Sequence, residues 1–261
     1  MPRPEELQRA LQGFLAEIKA RAHVPYSNEP RACVLVLSDG ALIPGARVES
    51  ASFSLTIPEL INAFSTAAAL GLHDVVAVVS SCDFRDEDTA FLAHTFAGSL
   101  DLIGAKIAVL PGASLPNPGD FLQPFLTIDS GMPPMEAARR LADRAVVPQS
   151  DFPVACVAVM PDGRAVPGVN VEHTDWSRII CAERNALGTL ISYGLGLPDS
   201  IYLTCPRDHG CTPCGACRQL LAELAPSVSI VMDRGEAPPL RSTPADLLPH
   251  FFSGRSVERR S

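Results

Sequence analysis

The residues of this chain whose types and spacing can do chemistry are Cys181-Ala182-Glu183 and, further along, Pro213-Cys214-Gly215-Ala216-Cys217. Three thiols can hold a zinc ion and leave its fourth position to water. That is the arrangement of a catalytic zinc, whereas a structural one takes four protein ligands. We read Cys181, Cys214 and Cys217 as the ligands of one Zn²⁺ per chain, and Glu183 as the general acid/base beside them. Good helix-forming sequence follows Cys181 and Cys217, so the thiols are expected at helix N-termini, where exposed N–H groups and the macrodipole stabilise thiolates. Three thiolates on Zn²⁺ leave a net charge of about −1. Arg184 and Arg218 directly follow motif residues, and at least one of them is expected to donate to a ligand sulfur and offset that charge.

Two other readings of the cysteines stay open. Cys211, Cys214 and Cys217 have an iron–sulfur-like spacing, and a closed structural zinc would recruit Cys205 or Cys211 as a fourth ligand. Cys33, Cys82 and Cys156 stand in apolar strand contexts and read as buried small hydrophobes.

The elements that must position these groups are written twice. Val24-Pro25-Tyr26-Ser27 meets Val147-Pro148-Gln149-Ser150 at an offset of 123 residues, and the match continues without a gap. Asp39-Gly40 meets Asp162-Gly163, Pro44-Gly45 meets Pro167-Gly168, Val48-Glu49 meets Val171-Glu172 and Asn62-Ala63 meets Asn185-Ala186. The period is too long for a solenoid, so each copy reads as a domain, 1–131 and 132–261, joined at the turn-rich 130–134. Each copy is expected to open on a helix, marked by Leu7, Leu11, Leu15 and Ile18 in the first and by Ala137, Ala138, Leu141 and Ala145 in the second. A hairpin, then helix, strand, helix and strand should follow: helices at 58–70 and 89–99 in the first copy, 181–193 and 214–224 in the second. The fold class is α/β: two tandem three-layer domains, each a mixed sheet with helices on both faces.

The copies differ in their chemistry. Pro58 aligns with Cys181 and Leu60 with Glu183, and the first half has no Cys-x-x-Cys. Proline suits a first helical turn, so the first copy is expected to keep the fold and lack the metal, unless it binds a different ligand of its own.

The chain has 261 residues, 47% of them hydrophobic, and a net charge of −8, with no dense basic run before 255–260. That argues against a polynucleotide substrate, which calls for a basic footprint, and for a small one. Apolar runs of membrane-spanning length and the layout of a signal peptide are absent, so a cytoplasmic protein with reduced thiols and no membrane partner is expected.

Taken together these residues resemble the cytidine deaminase family. The second copy matches its pattern through Val147-Pro148, Asp162-Gly163, Asn170 and Glu172, Cys181-Ala182-Glu183-Arg184, Pro213 to Gln219, and Leu247-Leu248-Pro249. The resemblance implies that Asn170 and Glu172 hold the ribose hydroxyls, that Phe152 stacks on the pyrimidine, and that the Ala182 backbone contacts the base. It also implies that Phe252 is lent to a neighbouring subunit, in a homodimer of two-domain chains. It implies zinc-dependent hydrolysis of cytidine or deoxycytidine to the uridine form. A deaminase of a modified or non-nucleoside aminopyrimidine, and an idle nucleoside- or zinc-binding regulator, are the alternatives. Where the family has E-N-A-S, this chain has Glu172-His173-Thr174-Asp175 and then Trp176, its single tryptophan, in a loop expected to border the pocket. Gln149 replaces the family tyrosine that the first copy keeps as Tyr26, and the copy with the motif is the second one.

Overall fold

The computed structural model describes residues 2–126, 131–254 and 257. Ser130 of the expected junction and Arg255, Arg259 and Arg260 of the basic tail lie outside them.

The first half opens on α1 (Pro4–Ala10) and α2 (Gln12–Arg21). Leu7, Leu11, Leu15 and Ile18 are all buried, as their periodicity predicts, although the helix breaks at Leu11. The hairpin β1 (Ala32–Leu37) and β2 (Leu42–Ala46) follows, then α3 (Glu59–Leu70), β3 (Val75–Ser80), α4 (Asp86–Leu92), β4 (Asp101–Gly104) and β5 (Ile107–Val109). The second half runs α5 (Pro134–Leu141), the hairpin β6 (Ala155–Val159) and β7 (Ala165–Val169), then α6 (Ala182–Ser192), β8 (Ser200–Thr204), α7 (Gly215–Leu224), β9 (Ser229–Met232), β10 (Leu240–Ser242) and α8 (Pro244–Leu247).

Strand alternation builds the layers. In β6, Ala155 and Val157 pack with Ala138 and Leu141 of α5, while Cys156 and Ala158 face the cluster that holds α6 and α7. In β1, Val34 and Val36 pack with α1 and α2, while Cys33 and Leu35 face α3. Cys33 and Cys156 are therefore buried as expected, whereas Cys82 lies past the end of β3 and is only half-buried.

The two sheets are not identical. The second has the order β10-β9-β8-β6-β7 and is mixed, because α7 carries the chain back so that β9 lies parallel to β8. The first has the order β2-β1-β3-β5-β4 with each pair of neighbouring strands antiparallel, a correction to the mixed sheet expected there. The helix expected at 89–99 starts earlier, at Asp86, and ends at Leu92, and Gly98 at φ +112° turns the chain further on, in a region that favours glycine. The chain then folds back as the β4–β5 hairpin, and β5 meets β3 antiparallel. A parallel partner needs a crossover of a dozen or more residues that returns the chain to the starting edge.

The halves meet along α3 and α6, which are buried on nearly all sides and share one core cluster. Thr66 and Thr189, equivalent in the repeat, hydrogen-bond to each other at 2.7 Å. Asn62 Nδ2 donates to Gly188 O at 3.1 Å and Ser192 Oγ at 2.9 Å, and its counterpart Asn185 donates to Ser65 Oγ at 3.1 Å. Equivalent positions contacting one another in both senses define an approximate twofold axis. Across the same interface Glu223 of α7 accepts from Ser50 Oγ and Ala51 N, both at 2.9 Å. Among the described residues, no helix is long and apolar enough to cross a membrane.

Gly188 is what lets the helices approach: a Cβ there would lie 2.4 Å from Asn62 Oδ1. Gly188→Ala should therefore destabilise the protein by about 1–3 kcal/mol, although alanine is the better helix former. Denaturant unfolding checks this, and a stabilised variant would contradict the packing.

Candidate active site

Backbone contacts place the metal segment. Val171 and Ile180 exchange backbone hydrogen bonds of 3.0 and 3.1 Å, which delivers the chain to Cys181, the N-cap of α6. Gly168 in β7 lets that helix start lie against the strand, since a Cβ would come 2.2 Å from Ala182 O. Cys214 is the N-cap of α7, and Cys217 stands three residues on, in its first turn.

These two helix starts converge. The sulfurs of Cys181, Cys214 and Cys217 lie within 4.8 Å of one another, with Cys181–Cys214 and Cys214–Cys217 both at 3.6 Å. A tetrahedral zinc with bonds of about 2.3 Å sets its sulfurs about 3.8 Å apart, so the three thiols fit that ion. Among the described residues this is the one such group, and it contains neither Cys205 nor Cys211, which removes the support for a closed structural zinc or an iron–sulfur cluster. The thiols share their protons: the hydrogen bonds between Cys214 and both Cys181 and Cys217 hold Cys214 far below the usual thiol range. The same bonds push Cys181 up to about 12 and Cys217 well above its ordinary value. A divalent cation at these sulfurs displaces the remaining protons.

Glu183 is buried, with Oε2 3.3 Å from Cys217 Sγ. Burial pushes its carboxyl up to about 7, against the opposing pull of the backbone N–H at the start of α6. It lines a cavity of about 380 Å³ together with Cys181, Cys214, Phe152, Asn170 and Glu172. Most of the residues that the sequence singled out for chemistry and substrate therefore meet in one cavity. Ala182 is fully buried in the first turn of α6 and its side chain does not line the cavity. Phe252 lies outside the cavity with 54% of its surface exposed, its carbonyl accepting from Gln219 Nε2 at 2.7 Å.

Neither arginine donates to a sulfur as expected. Arg184 reaches into the first half and donates to Leu55 O at 3.0 Å, because its place on α6 faces the helix pair. Arg218 donates to Pro213 O at 2.7 Å, Thr212 Oγ1 at 2.8 Å and Leu247 O at 3.2 Å. It ties down the loop that carries Cys214 and leaves the thiolate charge alone.

Sequence reading missed a clamp. Glu172 accepts from Gln149 N at 2.9 Å, Ser150 N at 3.2 Å and Ser150 Oγ. Glu49 does the same for Tyr26 N, Ser27 N and Ser27 Oγ in the first half. The repeat of Ser and Glu at matching positions in both copies was the signal. Asn170 is similarly engaged, accepting from Val154 N at 2.8 Å and donating to Phe152 O at 3.0 Å. Both side chains therefore shape the loop under Phe152 as well as lining the cavity. Trp176, Cys211 and Thr212 also line the cavity, with Ser150, Val154, Ile179 and Ile180.

A family model described as the cytidine and deoxycytidylate deaminase zinc-binding region matches residues 133–232, which contain all three cysteines and Glu183. The chain is 32% identical over 117 residues to the cytidine deaminase of Sporosarcina psychrophila, spanning 44% of this chain and 86% of that one. The chain belongs to the cytidine deaminase family. It is also 38% identical over 117 residues to a cytidine deaminase of Mycobacterium tuberculosis, spanning 44% of this chain and 84% of that protein. Among solved structures, the cytidine deaminase from Burkholderia pseudomallei is similar at 33% identity, covering 46% of this chain and 96% of that one with a TM-score of 0.43.

These contacts separate the two arginines. Arg218→Met should weaken zinc retention by about tenfold or more, since it frees the Cys214 loop, while Arg184→Met should leave it unchanged. Chelator competition measures both, and an equal loss in the two variants would overturn the assignment.

Proposed function

We propose that this chain is a zinc-dependent hydrolytic deaminase that converts cytidine or deoxycytidine and water to the uridine form and ammonia. The observation that carries the reading is the three-sulfur cluster, of which Cys181 and Cys214 line one cavity with the buried Glu183, Phe152, Asn170 and Glu172. Zinc held by Cys181, Cys214 and Cys217 supplies a Lewis acid that makes water a nucleophile at neutral pH.

The remaining work belongs to the chain. Glu183 takes a proton from the attacking water as its oxygen bonds to C4 of the ring, and delivers that proton to ring N3. It then carries the second proton to the amine, and the C4–N bond breaks with release of ammonia. Its raised proton affinity suits a group that must both accept and donate near neutrality. Phe152 offers an aromatic face to the pyrimidine. A carboxylate has about four acceptor sites, so Glu172 keeps capacity for a sugar hydroxyl beyond the three bonds it makes to the 149–150 segment. The Ala182 N–H, at the start of α6, is free of an intrahelical acceptor and is the backbone donor that the family resemblance assigns to the base.

The 123-residue repeat, the two sheets and the approximate twofold between them support a division into copies 1–131 and 132–261, of which only the second carries the chemistry. The exposed Phe252 fits a homodimer in which it enters the partner subunit's pocket, and a cytoplasmic location suits eight cysteines without a disulfide among them.

Glu183→Gln should lose about 10²–10⁴-fold in turnover of cytidine, read by loss of absorbance, while retaining one zinc per chain. Turnover like wild type in that variant would refute the role of Glu183. Absence of turnover in zinc-loaded wild type would refute the substrate.

A further inference from the structure

The loop that departs most from the family pattern is held by the half that lost the chemistry. Trp176 begins a short 3₁₀ turn, Trp176–Arg178, and lines the cavity beside Phe152, with 68% of its surface exposed. Asp175 caps that turn: Oδ1 accepts from Ser177 N at 3.0 Å and Ser177 Oγ at 2.7 Å, and Oδ2 from Arg178 Nε at 3.1 Å. The Asp175 N–H in turn donates to His173 Nδ1 at 3.0 Å. His173 stacks on Phe91, with ring centroids 5.2 Å apart and planes at 28°. Phe91 belongs to α4 of the first half, is buried in the shared core, and meets Phe64 of α3 edge-on at 5.5 Å.

An unbroken line of contacts thus runs from the core of the first half to the wall of the substrate cavity. The equivalent position in the first half is Phe53, also at the head of a 3₁₀ turn and 88% exposed. Its turn is built differently, because Asp175 and His173 are matched there by Ser52 and Ser50. The aromatic is common to both copies, and the aspartate and histidine that fix it are found only where there is a cavity to line.

We propose that the first half acts in substrate selection: Phe91 and His173 are positioning residues that hold Trp176 as a specificity-determining wall against a bound pyrimidine nucleoside. The inference rests on the deaminase reading for the identity of that ligand. Trp176 covers part of its exposed face on binding, and Phe91 sets where that face stands. A large exposed aromatic left to itself would rotate among several rotamers, and ordering it in advance lowers the entropic cost of binding.

The chain's single tryptophan makes the test direct. Cytidine titrated into zinc-loaded Glu183→Gln should change tryptophan emission saturably. Trp176→Ala, at a mostly exposed position, should raise KM for cytidine about fivefold with kcat nearly unchanged, the effect of losing one aromatic contact made equally in ground and transition states. Phe91→Leu, which keeps apolar volume in the core, and His173→Ala should shift KM in the same direction. Both should also make Trp176 more accessible to acrylamide quenching without substrate, with zinc content unchanged. Unaltered quenching in folded Phe91→Leu and His173→Ala would overturn the coupling. An unaltered KM in Trp176→Ala would overturn the role in selection. If wild type fails to turn over cytidine but quenching still responds to Phe91→Leu, the deaminase reading fails and the coupling between halves stands.

Discussion

The structure depends on the close approach of α3 and α6. Those helices are the two halves' equivalent elements, and they meet at Thr66–Thr189 with Asn62 lodged against Gly188. Buried polar groups normally cost free energy: Asn62 Nδ2 donates to Ala46 O, Gly188 O and Ser192 Oγ while its Oδ1 is left without a partner, and Asn185 donates to Ser65 Oγ and accepts from Val169 N. These bonds fix the height and rotation of α6. The start of that helix carries Cys181 and Glu183, so a shift in the helix pair is a shift in the metal cluster. A site built from the ends of regular elements is held more firmly than one built on loops alone.

A repeat whose second half alone carries the three-cysteine cluster separates what serves the fold from what serves the site. The carboxylate clamp survives in both halves, as Glu49 and as Glu172, so its first duty is to close the segment before the first strand of each sheet. The glycine against the start of the central helix also survives, as Gly45 and Gly168. The cysteines and Glu183 have no counterpart. In the first half the helix starts are instead bound by charge: Arg31 pairs with Glu59 at 2.7 Å and Asp88 at 3.4 Å, and Arg85 pairs with Asp88 at 2.9 Å. Guanidinium groups there join the starts of α3 and α4, where thiols bring together the starts of α6 and α7.

Much of this was legible in the chain. Ligand spacing, the Ala182-Glu183 step and the repeat identify the metal cluster and the half that carries it, because cysteines at helix starts can be recognised from local pattern alone. Phe152, Asn170 and Glu172 were found by resemblance, and they do meet in the cavity. The arginines were misread because adjacency in sequence says nothing about direction. One helical step turns a side chain by about 100°, which takes Arg184 away from the sulfurs and toward Leu55. The mixed sheet expected in the first half proved antiparallel because apolar runs show that strands exist and not the direction from which the chain enters them.

The sequence by itself determined the local matters: which residues can bind zinc, which carboxylate can move a proton, where helices begin, and that the chain is built twice. Only the tertiary structure decided how the copies answer to each other. The Phe91–His173 stack, the Glu223 bonds to Ser50 and Ala51, and the Thr66–Thr189 pair join residues far apart in the chain. Such contacts follow from side-chain direction and the packing of whole elements, which no local pattern of residue types records.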